Sequence, residues 1–103
     1  MNKIKIYLYD DKENPLLANA DVTFEDTTFG PVTIKGFQIW RSQFHNKRLD
    51  GEKINIEPPS TKPKYDLIKF RFVHLDDEEM WFKLMGQIFT AYKKEVNDNE
   101  VIV

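Results

Sequence analysis

At 103 residues the chain is the size of one domain, able to bury roughly 60–68% of its unfolded surface and so to fold without staples. It contains no cysteine, which excludes disulfides, thiolate metal sites, cysteine nucleophiles and iron–sulfur clusters, and its formal charge of −2 argues against a generic polyanion binder. The start, MNKIKIYLYDD, lacks the apolar run of a secretory signal and no stretch approaches the ~20 apolar residues of a membrane helix, so a cytoplasmic protein is expected.

The first two-thirds of the chain alternates as strands do. Ile4, Ile6 and Leu8 share one face, with Lys3, Lys5, Tyr7 and Tyr9 on the other. Asn14-Pro15 marks a turn, after which Ala20, Val22 and Phe24 alternate with Asp21, Thr23 and Glu25. Beyond Gly30-Pro31, Val32 and Ile34 keep that pattern while Phe37 and Ile39 have the opposite parity, so a bulge is expected at Lys35-Gly36. Residues 43–53, QFHNKRLDGEK, read as a polar loop closed by Asp50-Gly51, and Ile54 and Ile56 open a short fourth strand that ends at Pro58-Pro59 because neither proline can donate to a ladder. Tyr65 to His74 is a fifth strand candidate, with Ile68, Phe70 and Phe72 facing one way and Lys69, Arg71 and Val73 the other.

From Asp76 the period becomes helical. Trp81, Leu84, Met85, Ile88 and Tyr92 recur at three- and four-residue intervals, Asp76 is placed to cap the start, Asp77, Glu78 and Glu79 suit the positive end of the dipole, and Lys93 and Lys94 the other end. Trp81, Met80 and Met85 read as core. The expected architecture is a single α+β domain: an antiparallel sheet of four to five strands over about residues 3–73, one long C-terminal helix over about 76–94 packed on the apolar face, and a short tail, Val101-Ile102-Val103. The opposite face would carry Lys3, Lys5, Tyr7, Tyr9, Lys35, Lys69 and Arg71 with nothing covering it in the monomer.

Charge is segregated along this frame. Residues 35–71 hold nine Lys/Arg against four Asp/Glu, a net of +5, and the rest of the chain holds six against thirteen, a net of −7. The middle is basic and both ends are acidic.

Val22-Thr23-Phe24, the run Val32-Thr33-Ile34-Lys35-Gly36-Phe37-Gln38-Ile39, the segment Ile56-Glu57-Pro58-Pro59-Ser60 with Lys62 behind it, and the helical spacing Leu84, Ile88, Tyr92 together resemble the SpoVG, or septation-protein, family of small bacterial nucleic-acid-binding regulators. The resemblance covers most of residues 20–92, and it rests on the order of the pieces together with Pro-Ser-x-Lys. It implies a sheet with a C-terminal helix, homodimers made by joining strands across subunits, and binding of DNA or RNA with little sequence stringency. Residue by residue it carries over Pro59, Ser60 and Lys62; where the family has a Thr-Pro-Asp-Gly-type turn, this chain has Pro63-Lys64-Tyr65-Asp66.

Two function classes follow. In the first, Lys62 and Lys64, with Lys69 and Arg71 beside them, form the centre of a phosphate-tracking surface that Arg41, Lys47, Arg48 and Lys35 extend, and three prolines between 58 and 63 hold the lysines on a stiff path. In the second, the protein is an interaction module that docks a protein partner on its strand edges, and the lysines are solubilising. No nucleophile, base and oxyanion donor can be assembled, so an enzyme is not expected. His74 with Asp76, Asp77 and His45 falls short of a metal motif, and no cofactor, small-molecule substrate or membrane partner is implied.

Overall fold

The computed structural model describes residues 2–10, 13–60 and 71–100. Four strands, β1 (Asn2–Leu8), β2 (Leu16–Phe24), β3 (Val32–Asn46) and β4 (Glu52–Glu57), form one antiparallel sheet in the order β1-β2-β3-β4, and one helix, α1 (Glu78–Glu100), follows. This is the expected α+β arrangement. The alternation of β1 and β2 decides which face α1 covers: Ala18, Ala20 and Val22 of β2 and Phe37 and Ile39 of β3 are fully buried, with Ile4, Ile6 and Leu8 packed beside them, and Leu84, Met85, Ile88 and Phe89 of α1 close the core from above. Trp81 stacks on Phe37, ring centroids 6.2 Å apart and planes at 20°.

The parity change in β3 is a bulge. Ala20 pairs with Phe37 and Val22 with Ile34, so Asp21 alone faces both Lys35 and Gly36. Gly36 has φ +90°, a conformation that L side chains rarely adopt, and the Asp21 carboxylate accepts its N–H at 3.3 Å. The extra residue returns Phe37 and Ile39 to the helix side, where Ile34 already points.

Several expectations need correcting. The polar run 43–53 is not a simple loop: β3 continues to Asn46, a 3-10 turn occupies Lys47–Leu49, and β4 begins at Glu52. The reason is Leu49, fully buried in the core, whose burial draws this corner against α1. The helix cap is Asp77, whose carboxylate accepts the Met80 N–H at 3.1 Å, and Asp76 lies outside the helix. The helix runs on past Lys93 and Lys94, leaving no basic residue in its last turn, and Met80 is exposed, because it points away from the stripe that Trp81, Leu84 and Met85 define.

The fifth strand candidate falls largely on residues outside the description. Its described end, 71–74, makes one antiparallel bridge, Arg71 with Ser60, and Phe72 is 68% exposed and not a core residue.

Candidate nucleic-acid interface

The second face of the sheet is partly covered, against expectation. Pro58, Pro59 and Ser60 are buried because the chain leaving β4 folds onto Gly36 and Gln38: a Cβ added at Gly36 would lie 3.9 Å from the Pro59 Cβ. Gln38 is the polar anchor. Its Nε2 donates to the Ser60 carbonyl at 3.0 Å, and its Oε1 accepts from the Trp40 indole N–H at 3.0 Å and from the Ser60 hydroxyl at 3.3 Å. A buried amide with its hydrogen bonds made is stabilising where an unmade one would be costly. The Phe72 N–H donates to the Pro59 carbonyl at 2.8 Å, so the Ser60–Arg71 bridge has a second tie. Pro58 and Pro59 therefore end β4 and also cover the sheet.

The basic residues divide into two groups. Lys35, on the bulge, and Arg71, bridged to Ser60, belong to the Pro-Pro-Ser side. Arg41 and Arg48 belong to the helix side: the Arg48 guanidinium carbon lies 3.5 Å from the centroid of the Phe82 ring of α1, and the charge of Arg41 reaches the phenol of Tyr92. Lys47 stands beside Arg48 in the 3-10 turn. All five are exposed. Lys62, Lys64 and Lys69 lie outside the described residues.

At the β3–β4 corner the chain makes a local excursion. Between the pairs Arg41–Ile54 and Asn46–Glu52, β3 inserts Ser42, Gln43, Phe44 and His45 against the single residue Lys53 of β4. Local bonds hold it: the Phe44 N–H donates to the Ser42 hydroxyl at 3.1 Å, the Gly51 N–H to the Asn46 carbonyl at 2.8 Å, and the Arg48 N–H to the Asn46 side-chain oxygen at 3.1 Å, while the Asn46 amide donates to the Ile54 carbonyl at 3.2 Å. His45 Nδ1 lies 2.7 Å from the Gly51 carbonyl oxygen. A carbonyl only accepts, so the proton sits on Nδ1. The result is a concavity of about 500 Å³ lined by Phe44, His45, Lys47, Arg48 and Asn55 among others, with no carboxylate in its wall. Of the corner's two acids, Glu52 is held by Lys93 at 3.0 Å and Asp50 occupies the left-handed position (φ +57°) of the turn.

Phe44 is the residue that sequence reasoning passed over. It is 77% exposed. A lone aromatic inside the basic, polar run QFHNKR was the available clue, since an apolar ring with no alternating partners has no core to serve. Near the corner, burial lifts the Tyr92 phenol above its ordinary value of 10.0, with Lys93 and Arg41 pulling the other way and Glu52 adding to the rise. Among the described residues no three His, Asp or Glu side chains converge as a metal site would require, and no helix is long and apolar enough to cross a membrane.

Comparison with protein-family models, with curated proteins and with solved structures returns no match.

Proposed function

We propose that the protein is a small SpoVG-like nucleic-acid-binding regulator of low sequence stringency, which meets DNA or RNA through the basic middle of its sheet and the connections that leave it. One observation carries this reading: the six described cations between residues 35 and 71, namely Lys35, Arg41, Lys47, Lys53, Arg48 and Arg71, are all exposed, although the chain as a whole is acidic. Exposed cations track phosphates and release counterions, and that contribution needs no base-specific contact. The Pro58-Pro59-Ser60 platform supports the reading too, since it is buried and hydrogen-bonded and holds Arg71 through the bridge to Ser60.

A homodimer belongs to the same proposal. The outer edge of β1 has no strand partner among the described residues. Two copies of β1 laid antiparallel about Ile6 would set Ile4 against Leu8, and Lys5 and Lys3 against Tyr7 and Tyr9, which matches apolar with apolar and cation with aromatic. Light scattering at micromolar concentration tests this, and a clean monomer mass would remove strand joining from the proposal.

A second reading, a protein-interaction module, is favoured by a cleft of about 400 Å³ in which Phe24, Leu75, Met80 and Trp81 are flanked by Asp76 and Asp77, with Lys83 and His74 also in the wall. An apolar floor beside two carboxylates, which outnumber the single lysine, suits a peptide that is apolar with a basic group. Titration of short single- and double-stranded DNA and RNA at several salt concentrations decides between the two. A phosphate-tracking surface loses affinity steeply as salt rises, and no binding to any of the four ligands at low salt would overturn the nucleic-acid reading and leave the peptide reading.

A further inference from the structure

We infer that the β3–β4 corner receives an unpaired base of a single-stranded nucleic acid on the ring of Phe44, with Lys47 and Arg48 against the adjoining phosphates; the inference rests on the nucleic-acid reading and names the form of ligand it takes at this site. Phe44 is 77% exposed, and no ring or cation–π contact involves it among the described residues. The excursion that carries it is fixed at both ends, by the Phe44 N–H on Ser42 and by His45 and Asn46 on Gly51. The ring is thus presented without a large ordering cost at binding.

The surroundings choose the ligand. The wall of the concavity offers an aromatic face, cations at Lys47 and Arg48, and neutral donors and acceptors at Asn55 and His45. With no carboxylate in that wall, an anionic, aromatic, hydrogen-bonding ligand is complemented on every side. A purely apolar occupant would strip water from Lys47 and Arg48 with nothing in return. A nucleotide has the required parts in the required proximity, and its base stacks on a protein ring without sequence selection because every base has a π-face.

Stacking on Phe44 favours unpaired bases. Inside a duplex both faces of each internal base are already stacked, so the ring reaches only bases that are splayed out or terminal. His45 adds an acceptor on the same wall: with the Nδ1 proton committed to the Gly51 carbonyl, the neutral ring presents Nε2 as an acceptor.

The test titrates a fluorescently labelled single-stranded 12-mer, as DNA and as RNA, and the same sequence as a blunt duplex, against wild type, F44A, F44W, F29A and K47E. Because Phe44 is exposed, F44A is expected to keep the wild-type melting curve. F44A should weaken both single strands about 5- to 150-fold, the range for losing one stacked base, with the slope of log affinity against log salt unchanged, and should leave duplex binding as it was. F44W should keep the affinity and gain tryptophan quenching on addition of the single strand. F29A should bind as wild type. If F44A binds single strands like wild type while K47E weakens them, the stacking inference is overturned and the nucleic-acid reading survives. If wild type binds neither form at low salt, both fall.

Discussion

Two connections of this sheet each hold a phenylalanine out in solvent, and they differ in almost everything else. In the β2–β3 turn Phe29 is 90% exposed, and in the β3–β4 corner Phe44 is 77% exposed. Residues 25–31 include no cation; their charges are Glu25, paired with Lys3 at 3.1 Å, and Asp26. The turn is held by itself, with the Thr27 hydroxyl donating to the Gly30 carbonyl and the Gly30 N–H returning to the Thr27 carbonyl at 3.1 Å, and none of its residues is buried. The corner has Leu49 fully buried in the core, Arg48 stacked on Phe82 and Lys93 reaching Glu52. An exposed aromatic by itself therefore carries no meaning. The one set among cations, on a segment anchored to the core, is the one on which the proposed stacking site rests; the other is the tip of a turn.

The largest expected effect tests the anchor. Leu49→Ala should cost about 2–5 kcal/mol, as removal of a fully buried leucine does, whereas Phe29→Ala should stay within about 0.5 kcal/mol. Urea melts of the two variants measure the difference, and equal costs would mean that the corner is no better anchored than the turn.

Next comes the charge contrast. Replacing Lys47 and Lys53 together by glutamate should weaken nucleic-acid binding by about tenfold or more and lower the salt slope by roughly 1.4–1.8, the share of two phosphate contacts, without moving the melting curve, because neither side chain is buried. Thr28→Lys, which brings a cation beside Phe29, sharpens the comparison: a lone added charge on the unanchored turn should change affinity far less than the corner pair does.

Of similar or smaller size is a backbone effect. Gly51 sits at φ +73° with open space where a Cβ would go, so Gly51→Ala should cost about 1–2 kcal/mol through conformation alone. Thermal melts check this, and Gly51→Asn should recover part of the loss, since asparagine tolerates that region better than alanine.

The smallest effect is a pH dependence confined to the corner's side of the molecule. Tyr92 has its pKa raised above 10.0, first by burial and then by Glu52, against Lys93 and Arg41. The unfolded chain therefore loses this proton first, and the stability it represents, fully present below pH 10, declines as pH rises through the higher folded value. Tyr92→Phe should flatten that decline in melts collected on either side of pH 10. Glu52→Gln should reduce the rise in the Tyr92 value, seen by ultraviolet titration of the phenol, and remove the half-buried, still solvent-screened Lys93–Glu52 pair at a cost of about 0.2–1 kcal/mol.

Much of the frame was legible in the residues. Period two placed Ile4, Ile6 and Leu8 on the core side, the parity break between Ile34 and Phe37 located the bulge at Lys35-Gly36, and the spacing of Leu84, Met85 and Ile88 marked the buried stripe of α1. The candidate site was legible as a list of cations and illegible as a surface. Lys35 and Arg71 went to one side of the sheet and Arg41 and Arg48 to the other, and nothing in the spacing of these residues reports on which face a crossing chain will settle.

What the sequence determined by itself was whatever depends on neighbours along the chain: strand and helix periods, the Asp50-Gly51 turn, the acidic first turn of α1 and the basic middle. What only the tertiary structure decided depends on partners far apart in sequence. Leu49 enters a core built by β2, β3 and α1 and so turns a polar run into an anchored corner. Gln38 binds Ser60, 22 residues on, and brings two prolines down over a sheet face that alternation alone had left open. The physical reason is the same in both cases. A periodic pattern states that a side chain wants burial or a hydrogen bond, and only the packed fold supplies the particular group that satisfies it.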